Sequence, residues 1–365
     1  MTATEDVEAG WLMRLRNAPA AASTTVTIPA EGRERRLAQE VAVERDLPIL
    51  DAQHHFRDGE HDSQGSVGAS PLGPDEMAAV INASGHRIIG TVFAEGHFRY
   101  RVDGPEELRT VGEVEAVRRE TERVASEAPE IGLCRGIVAH ADLLLGDRIE
   151  GVLDALTNAA EGRLCGIRDV LSWHADPRFR FPPQIGAPEN MLSDPRFQVG
   201  FEHVARRGLV FNASLFGPQL PELINFAHRN ADATIVVDHV GLPLWGSSRD
   251  ARQEALDRWR VNIGKLAALP NVMVKIGNLP VPGQFYKEPD GPGSDALAQA
   301  WQPLIDAVVD AFGPQRSMFE SDYTVQAALC TYGVLWNAMK KATAQYSDAE
   351  RARLFSETAA TVYNL

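Results

Sequence analysis

From Pro48 onward, short runs that are apolar nearly throughout alternate with longer segments whose apolar residues recur every third or fourth position. The short runs are PILDAQHHF (48–56), RIIGTVFAEG (87–96), RGIVAHADL (135–143), CGIRDVLSW (165–173), LVFNASLF (209–216), TIVVDHVG (234–241), NVMVKIGN (271–278) and SMFESDY (317–323), which makes eight predicted strands. Between them DRIEGVLDALTNAAE, QLPELINFAHRN, ARQEALDRWRVNIGKLAAL and DALAQAWQPLIDAVVDAFG carry helical spacing, several opening behind Pro, Ser or Asp. Strands without polar alternation, separated by helices, predict a parallel sheet covered on its outer face. Eight such units in series predict an α/β fold of the (β/α)8 TIM-barrel type. The closing SDAERARLFSETAATVYNL predicts an extra C-terminal helix, capped by Ser347 and packed on the outside.

Residues 1–46 break the rhythm with an amphipathic stretch (GWLMRLRNA), an Ala/Ser/Thr linker and a charged run. They predict an N-terminal arm that wraps the domain or a partner subunit, giving an arm at 1–46 and a barrel at 47–365, and such an arm favours a homodimer. Composition narrows the partners. With Lys+Arg 36 against Asp+Glu 50, a formal charge of -14 disfavours nucleic acid and anionic membranes. No apolar run approaches the length of a membrane span, and the first residues carry acids where a signal peptide is basic, so a cytoplasmic protein is expected. Cys134, Cys165 and Cys330 are an odd count without metal-type spacing and read as reduced core residues.

In such a barrel the side chains at the C-terminal strand ends build the active site. Here those ends carry Gln53, His54 and His55; Glu95 and His97; His140 and Asp142; Arg168 and Asp169; Asp238 and His239; Lys275; Glu320 and Asp322. Strand alternation points Gln53 and His55 into the mouth and His54 away from it, as a packing residue. Glu95 is open to two readings, a substrate contact or an ion pair with Arg168 or Lys275. Lys275 is either functional or a buried cation partnered by Glu320. His140 and Asp142 either line the mouth or tie and cap loops. Trp173, Phe216 and Tyr323 are apolar walls for a ring-shaped substrate or core rims.

A histidine after strand 1, a histidine after strand 6 and an aspartate after strand 8, carried by LPILDAQHHFRD, GIVAHADLLLG, GIRDVLSW, VVDHVGLPL, VMVKIGN and MFESDYTV, resemble the amidohydrolase superfamily. The resemblance is to its amidohydrolase-2 branch, which holds lactonases and metal-dependent non-oxidative decarboxylases, and it runs from Leu47 to Leu365. It implies His55, His239 and Asp322 as site residues, with Lys275 and Arg168 matching further family positions. The family pattern places two histidines on alternate positions of strand 1, where this chain has Gln53 and His55. Many relatives carry histidine at Gly217 and after the Gly-Ile-Arg element, where Asp169 stands. Only His55, His239 and Asp322 remain as good ligands, so no cofactor is favoured. The expectation is a lactonase-like hydrolase that opens a lactone or similar activated cyclic ester bearing an anionic group. Asp322 serves as general base, His55 and His239 orient water or polarise the carbonyl, and Arg168 pairs with the anion. Gln53, Lys275, Glu95, His140, Trp173 and Tyr323 complete the expected substrate contacts. Two alternatives stay open: one divalent Zn or Mn held by His55, His239 and Asp322 in an amidohydrolase or decarboxylase, and a catalytically altered barrel that rearranges, dehydrates or only binds.

Overall fold

All eight predicted runs form strands: β1 (Ile49–His54), β2 (Ile88–Ala94), β3 (Gly136–His140), β4 (Leu164–Val170), β5 (Val210–Ser214), β6 (Ile235–Val237), β7 (Val272–Ile276) and β8 (Ser317–Phe319). They are hydrogen-bonded in sequence order and every neighbouring pair is parallel. The computed structural model describes residues 37–58, 71–181, 186–244 and 249–365, so the expected arm before residue 37 lies outside the described residues. Each strand is followed by a helix: α1 (Pro74–Ser84), α2 (Val111–Glu127), α3 (Ile149–Ala160), α4 (Pro195–Arg206), α5 (Leu220–Arg229), α6 (Arg249–Ala267), α7 (Ser294–Phe312) and α8 (Tyr332–Ala342).

The seam between β8 and β1 closes at the mouth. Asp322 donates its backbone N–H to the Gln53 carbonyl (2.9 Å) and His55 donates to the Tyr323 carbonyl (2.7 Å). The barrel is therefore joined by the same residues that carry its polar side chains.

Two apolar layers hold the wall. Outside the sheet, Phe197 and Phe201 of α4, Phe211 of β5 and Phe226 of α5 pack edge to face, with centroids 4.7–6.0 Å apart in the T-shaped pairs. Each such fully buried ring is worth roughly 1.5–3 kcal/mol of transfer free energy. Inside the barrel, Leu50, Ala52, Val92, Ala94, Val138, Val210, Val236 and Met318 form a separate cluster that also takes in Ala359 and Tyr363.

That membership corrects the expected course of the closing segment. Ser347 does cap it, accepting from the Glu350 N–H (3.3 Å), and the helix runs from α9 (Asp348–Ala352) through a π turn (Arg353–Glu357) to α10 (Thr358–Tyr363). Only its first half packs outside, where Phe355 meets Phe319. Leu365 then lies against Gly136 and Cys165, at the starts of β3 and β4, so the last turn plugs the end of the barrel opposite the mouth. The sequence pattern missed this because one tyrosine entering a barrel axis leaves no periodic trace.

The described part of the N-terminal extension is a strap along α7 and α8. Glu40 accepts from the Ser294 N–H (2.8 Å) and from Asn337 (3.1 Å), and Lys340 donates to the carbonyls of Val43 (3.2 Å) and Glu44 (2.8 Å). Its first described residues reach the 280–294 loop, where the Ala38 N–H meets the Asp290 carbonyl (2.7 Å). Among the described residues the three cysteines are free, and no helix is long and apolar enough to cross a membrane.

Candidate active site

The end of β1 is irregular. Its pairing with β2 shifts register between Asp51 and His54, which lets Ala52 face the barrel interior while Gln53 and His55 both reach the mouth. His54 turns outward as expected. It is fully buried between Phe56 and Phe93, bonded to Thr91 Oγ1 at 2.8 Å, and burial lowers its pKa to about 3, so it is a neutral packing residue.

Gln53 is the pivot. Lys275 Nζ donates to its Oε1 at 2.6 Å, and because an ammonium can only donate, the amide oxygen must face Lys275 and the NH2 must face the other way. That NH2 lies 3.3 Å from His55 Nε2 and 3.4 Å from His239 Nε2. His55 is fixed between the Ala94 carbonyl, 2.8 Å from Nδ1, and Asp322 Oδ1, 3.0 Å from Nε2.

Behind Gln53 runs a chain of buried charges. Lys275 pairs with Asp238 (3.2 Å), Asp238 with Arg168 Nε (3.0 Å), and Arg168 with Glu95, through its carbonyl at 3.2 Å and its carboxylate at 3.6 Å. Burial alone would raise Asp238, but Lys275 and Arg168 outweigh it and pull the carboxyl down to about 2. Glu95 behaves alike: burial works against its charge, while His97 (2.6 Å), His140 and Arg168 hold it well below the usual range.

The contacts bear on three of the expectations. The partner of Lys275 is Asp238, not Glu320. Glu95 makes one of the ion pairs open to it, with Arg168. Arg168 is already neutralised by two carboxylates, and only its Nη2 makes no hydrogen bond among the described residues. Salt bridges this deeply buried are geometrically constrained, and removing one partner leaves the other uncompensated.

His239 and Asp322 close the mouth. Both have left-handed backbone, φ 54° and 48°, as does Val240 at 51°, and such conformations persist in non-glycine residues only where the surroundings enforce them. Glu320 enforces the first by accepting from both the His239 N–H (3.1 Å) and Nδ1 (2.6 Å). Glycine at 277 is required for this, since a Cβ there would lie 2.3 Å from Glu320 Cγ. Burial opposes a charge on His239, but Glu320 and Asp322 override it and raise the pKa to about 9, so Nε2 carries a proton at neutral pH. Burial likewise opposes ionisation of Asp322, and His239 together with the His55 hydrogen bond keeps its carboxyl below the usual range. Its second oxygen, Oδ2, is buried and without a partner among the described residues.

Asp51, which strand reasoning passed over, enforces the Asp322 corner. Its carboxylate accepts from the Ser321 N–H (2.8 Å), Ser321 Oγ (2.6 Å), Tyr332 Oη (2.9 Å) and the Gln53 N–H (3.3 Å). The only signal in the sequence was an acid two residues ahead of Gln53 on an apolar strand. Burial pushes Asp51 up to about 7 against the pull of these donors. Between pH 4 and 7 the unfolded chain therefore releases a proton that the folded protein keeps, so this contribution to stability falls as pH rises. We expect the stability advantage of the wild type over Asp51→Asn, measured by urea unfolding, to shrink by a few kcal/mol from pH 4 to pH 7. A constant difference across that range would contradict this placement.

The remaining rim residues divide. His140 bonds the Arg168 carbonyl through Nδ1 (3.2 Å) and lies 3.9 Å from Asp169, and Asp142 caps the following turn by accepting from the Leu144 N–H (2.9 Å). Both therefore make loop-tying contacts. Trp173 is half-buried under the Arg180 guanidinium, and Phe216 stacks on Phe181. Tyr323 packs into the main core, 5.3 Å from Tyr332 edge to face, as the core-rim one of its two readings has it. Glu113 of α2 also escaped notice: it holds the N–H groups of Gly96 (3.0 Å) and Phe98 (2.7 Å), and so the turn bearing His97.

A divalent metal would need the inward Nε2 atoms of His55 and His239. The residues present do not fit one well, because an amide NH2 backed by an ammonium stands between those nitrogens and brings positive charge where a cation would sit. Three donors of suitable type remain in His55, His239 and Asp322, yet among the described residues no group of three or more His, Cys, Asp or Glu is arranged to hold a metal ion.

A parallel eight-stranded barrel with histidine, carboxylate and lysine gathered at its mouth has the layout of a TIM-barrel enzyme. The sequence matches the family model described as Amidohydrolase (Amidohydro_2) over residues 50–365, and the chain belongs to that family. It is 34% identical over 204 residues to an L-fucono-1,5-lactonase of Burkholderia multivorans, an alignment covering 56% of this chain and 64% of that enzyme. It is 31% identical over 247 residues to the uncharacterised protein y4mH of Sinorhizobium fredii, covering 67% and 75% of the two chains. Among solved structures, an amidohydrolase from Burkholderia multivorans with bound zinc superposes with a TM-score of 0.63 at 25% identity, covering 87% of this chain and 99% of that one. A probable 2-pyrone-4,6-dicarboxylic acid hydrolase from Pseudomonas putida shares the fold, with a TM-score of 0.58 at 14% identity, covering 87% and 98%.

Proposed function

We propose that this hydrolase opens a lactone by direct attack of water, with Asp322 as general base and without a metal in the reaction. The observation that carries the reading is the convergence of two nitrogens, Gln53 Nε2 and His239 Nε2, 3.4 Å apart, with His239 Nε2 4.0 Å from Asp322, whose Oδ2 has no partner among the described residues. A protonated His239 cannot accept from Gln53, so both N–H groups are left for an incoming carbonyl oxygen, the arrangement that stabilises an oxyanion. Water adds to the lactone carbonyl carbon while Asp322 takes its proton. The oxyanion rests on Gln53 and His239. It then collapses, the ring C–O bond breaks, and the Asp322 proton passes to the departing alkoxide to give the hydroxy acid. A lactone needs less electrophilic help than an amide.

The charge arrangement favours a neutral substrate over the anionic one expected from the sequence. Arg168 and Lys275 are both engaged by Glu95 and Asp238 within the buried chain, so neither cation is left without a carboxylate partner to receive a substrate anion. A neutral lactone bearing hydroxyls, which carboxylates and imidazoles can bind, suits this field. The name of the lactonase relative supports that class.

The test compares L-fucono-1,5-lactone with 2-pyrone-4,6-dicarboxylate, using protein stripped by a chelator and with its metal content measured. We expect turnover of the neutral lactone at least tenfold above the dicarboxylate, unchanged by chelation. Activity that disappears with zinc and returns with it would overturn the metal-free mechanism, and preference for the dicarboxylate would overturn the substrate class.

A further inference from the structure

The last turn of the chain reaches the active site from beneath. Tyr363 of α10 is buried among the interior residues of the barrel, and its hydroxyl donates to Asn212 Oδ1 on β5 at 2.6 Å. Lys275 Nζ lies 5.6 Å from the centroid of the Tyr363 ring. Lys275 has no solvent exposure, and its ammonium is thus enclosed by Gln53 Oε1 (2.6 Å), Asp238 Oδ1 (3.2 Å) and the Tyr363 ring.

We propose that Tyr363 is a positioning residue for the hydrolysis: by supporting Lys275 from the closed end of the barrel, it fixes the Gln53 amide with its oxygen down and its NH2 toward the substrate. The inference rests on the reading of Gln53 as an oxyanion donor. Its physical basis is the contrast between the two ends of the Lys275 side chain. Lysine has four rotatable side-chain bonds, and the ammonium has a second, charged acceptor in Asp238. With the ring removed, the ammonium can settle on Asp238 alone and release the neutral amide. A released Gln53 can turn by half a rotation and offer oxygen, an acceptor, to the developing oxyanion. The face of an aromatic ring attracts an ammonium and offers it no competing acceptor, so it supports Lys275 without drawing it away from Gln53. Phenylalanine at this position would keep that face and lose only the tie to Asn212, whereas leucine would lose the face.

The experiment measures kcat and KM on L-fucono-1,5-lactone for Tyr363→Leu, Tyr363→Phe, Gln53→Ala and the double variant Tyr363→Leu/Gln53→Ala. Tyr363→Leu is expected to lower kcat at least tenfold with KM within threefold, and Tyr363→Phe to stay within threefold of wild type. In the Gln53→Ala background the leucine substitution should change kcat less than twofold, because the group it positions is gone. A residue that merely stabilises the fold would lower both backgrounds equally, and that result overturns the proposal. So does a Tyr363→Leu protein with wild-type kcat. If Gln53→Ala itself retains wild-type kcat, the oxyanion reading fails instead. Should Tyr363→Leu not fold, Tyr363→Met replaces it in the same cycle. Independently of turnover, acetylation of Lys275 by an N-hydroxysuccinimide ester, read by mass spectrometry, is expected to rise in the leucine protein and stay at the wild-type level in the phenylalanine protein; equal labelling in both overturns the cage.

Discussion

Asp322→Asn is expected to reduce kcat/KM for lactone hydrolysis by about a thousandfold, within the range that a positioned general base contributes. The substitution keeps the size of the side chain and the Oδ1 contact with His55 at 3.0 Å, but it exchanges Oδ2, without a partner among the described residues, for an NH2 that cannot take a proton from water. Asparagine also tolerates the left-handed backbone at this position, φ 48°, so the corner between β8 and β1 should stay intact. Circular dichroism and the thermal midpoint are therefore expected to remain near wild type while turnover is lost. A variant that retains more than a tenth of the wild-type rate would remove Asp322 from the base role and reopen the reading of a barrel that only binds its ligand.

Lys275→Met carries the largest expected effect on stability. Methionine fills much the same volume, but it leaves Asp238, held near pKa 2 by two cations, with Arg168 alone. Breaking a buried pair in this way costs about 3–5 kcal/mol. For a domain of this size that lowers the thermal midpoint by roughly 4–7 °C, and calorimetry measures it directly. Because Gln53 loses the donor that orients it, kcat should fall as well. The second substitution Asp238→Asn should then recover much of the stability and little of the rate. Failure of the double variant to regain stability would show that the Asp238 charge is not what the lysine compensates.

The barrel was legible from residue pattern alone, since eight apolar runs separated by helical spacing admit few other folds, and every run became a strand. The mouth was legible for a related reason: polar side chains at the ends of apolar strands stand out. What strand alternation could not give was partnership. Arg168, Lys275, Glu95 and Glu320 lie on or just after four different strands, and which acid meets which cation depends on barrel stagger, so Glu320 stands as one open partner for Lys275 in the sequence where the structure pairs it with Asp238. Asp51 was hidden because an acid facing outward from a strand looks like a misplaced charge until Ser321 and Tyr332 supply its donors. Tyr363 was hidden by distance, being 40 residues beyond the last predicted strand run.

The seam between the first and last strands has a kinetic meaning. His55 and Asp322 meet across 267 residues of chain, and Asp51 and Ser321 across 270. Contacts of such separation are slow to form because the whole intervening chain must be ordered before they are made. On refolding, helical signal should therefore return well before enzymatic activity, with the return of activity marking the moment when the cylinder shuts.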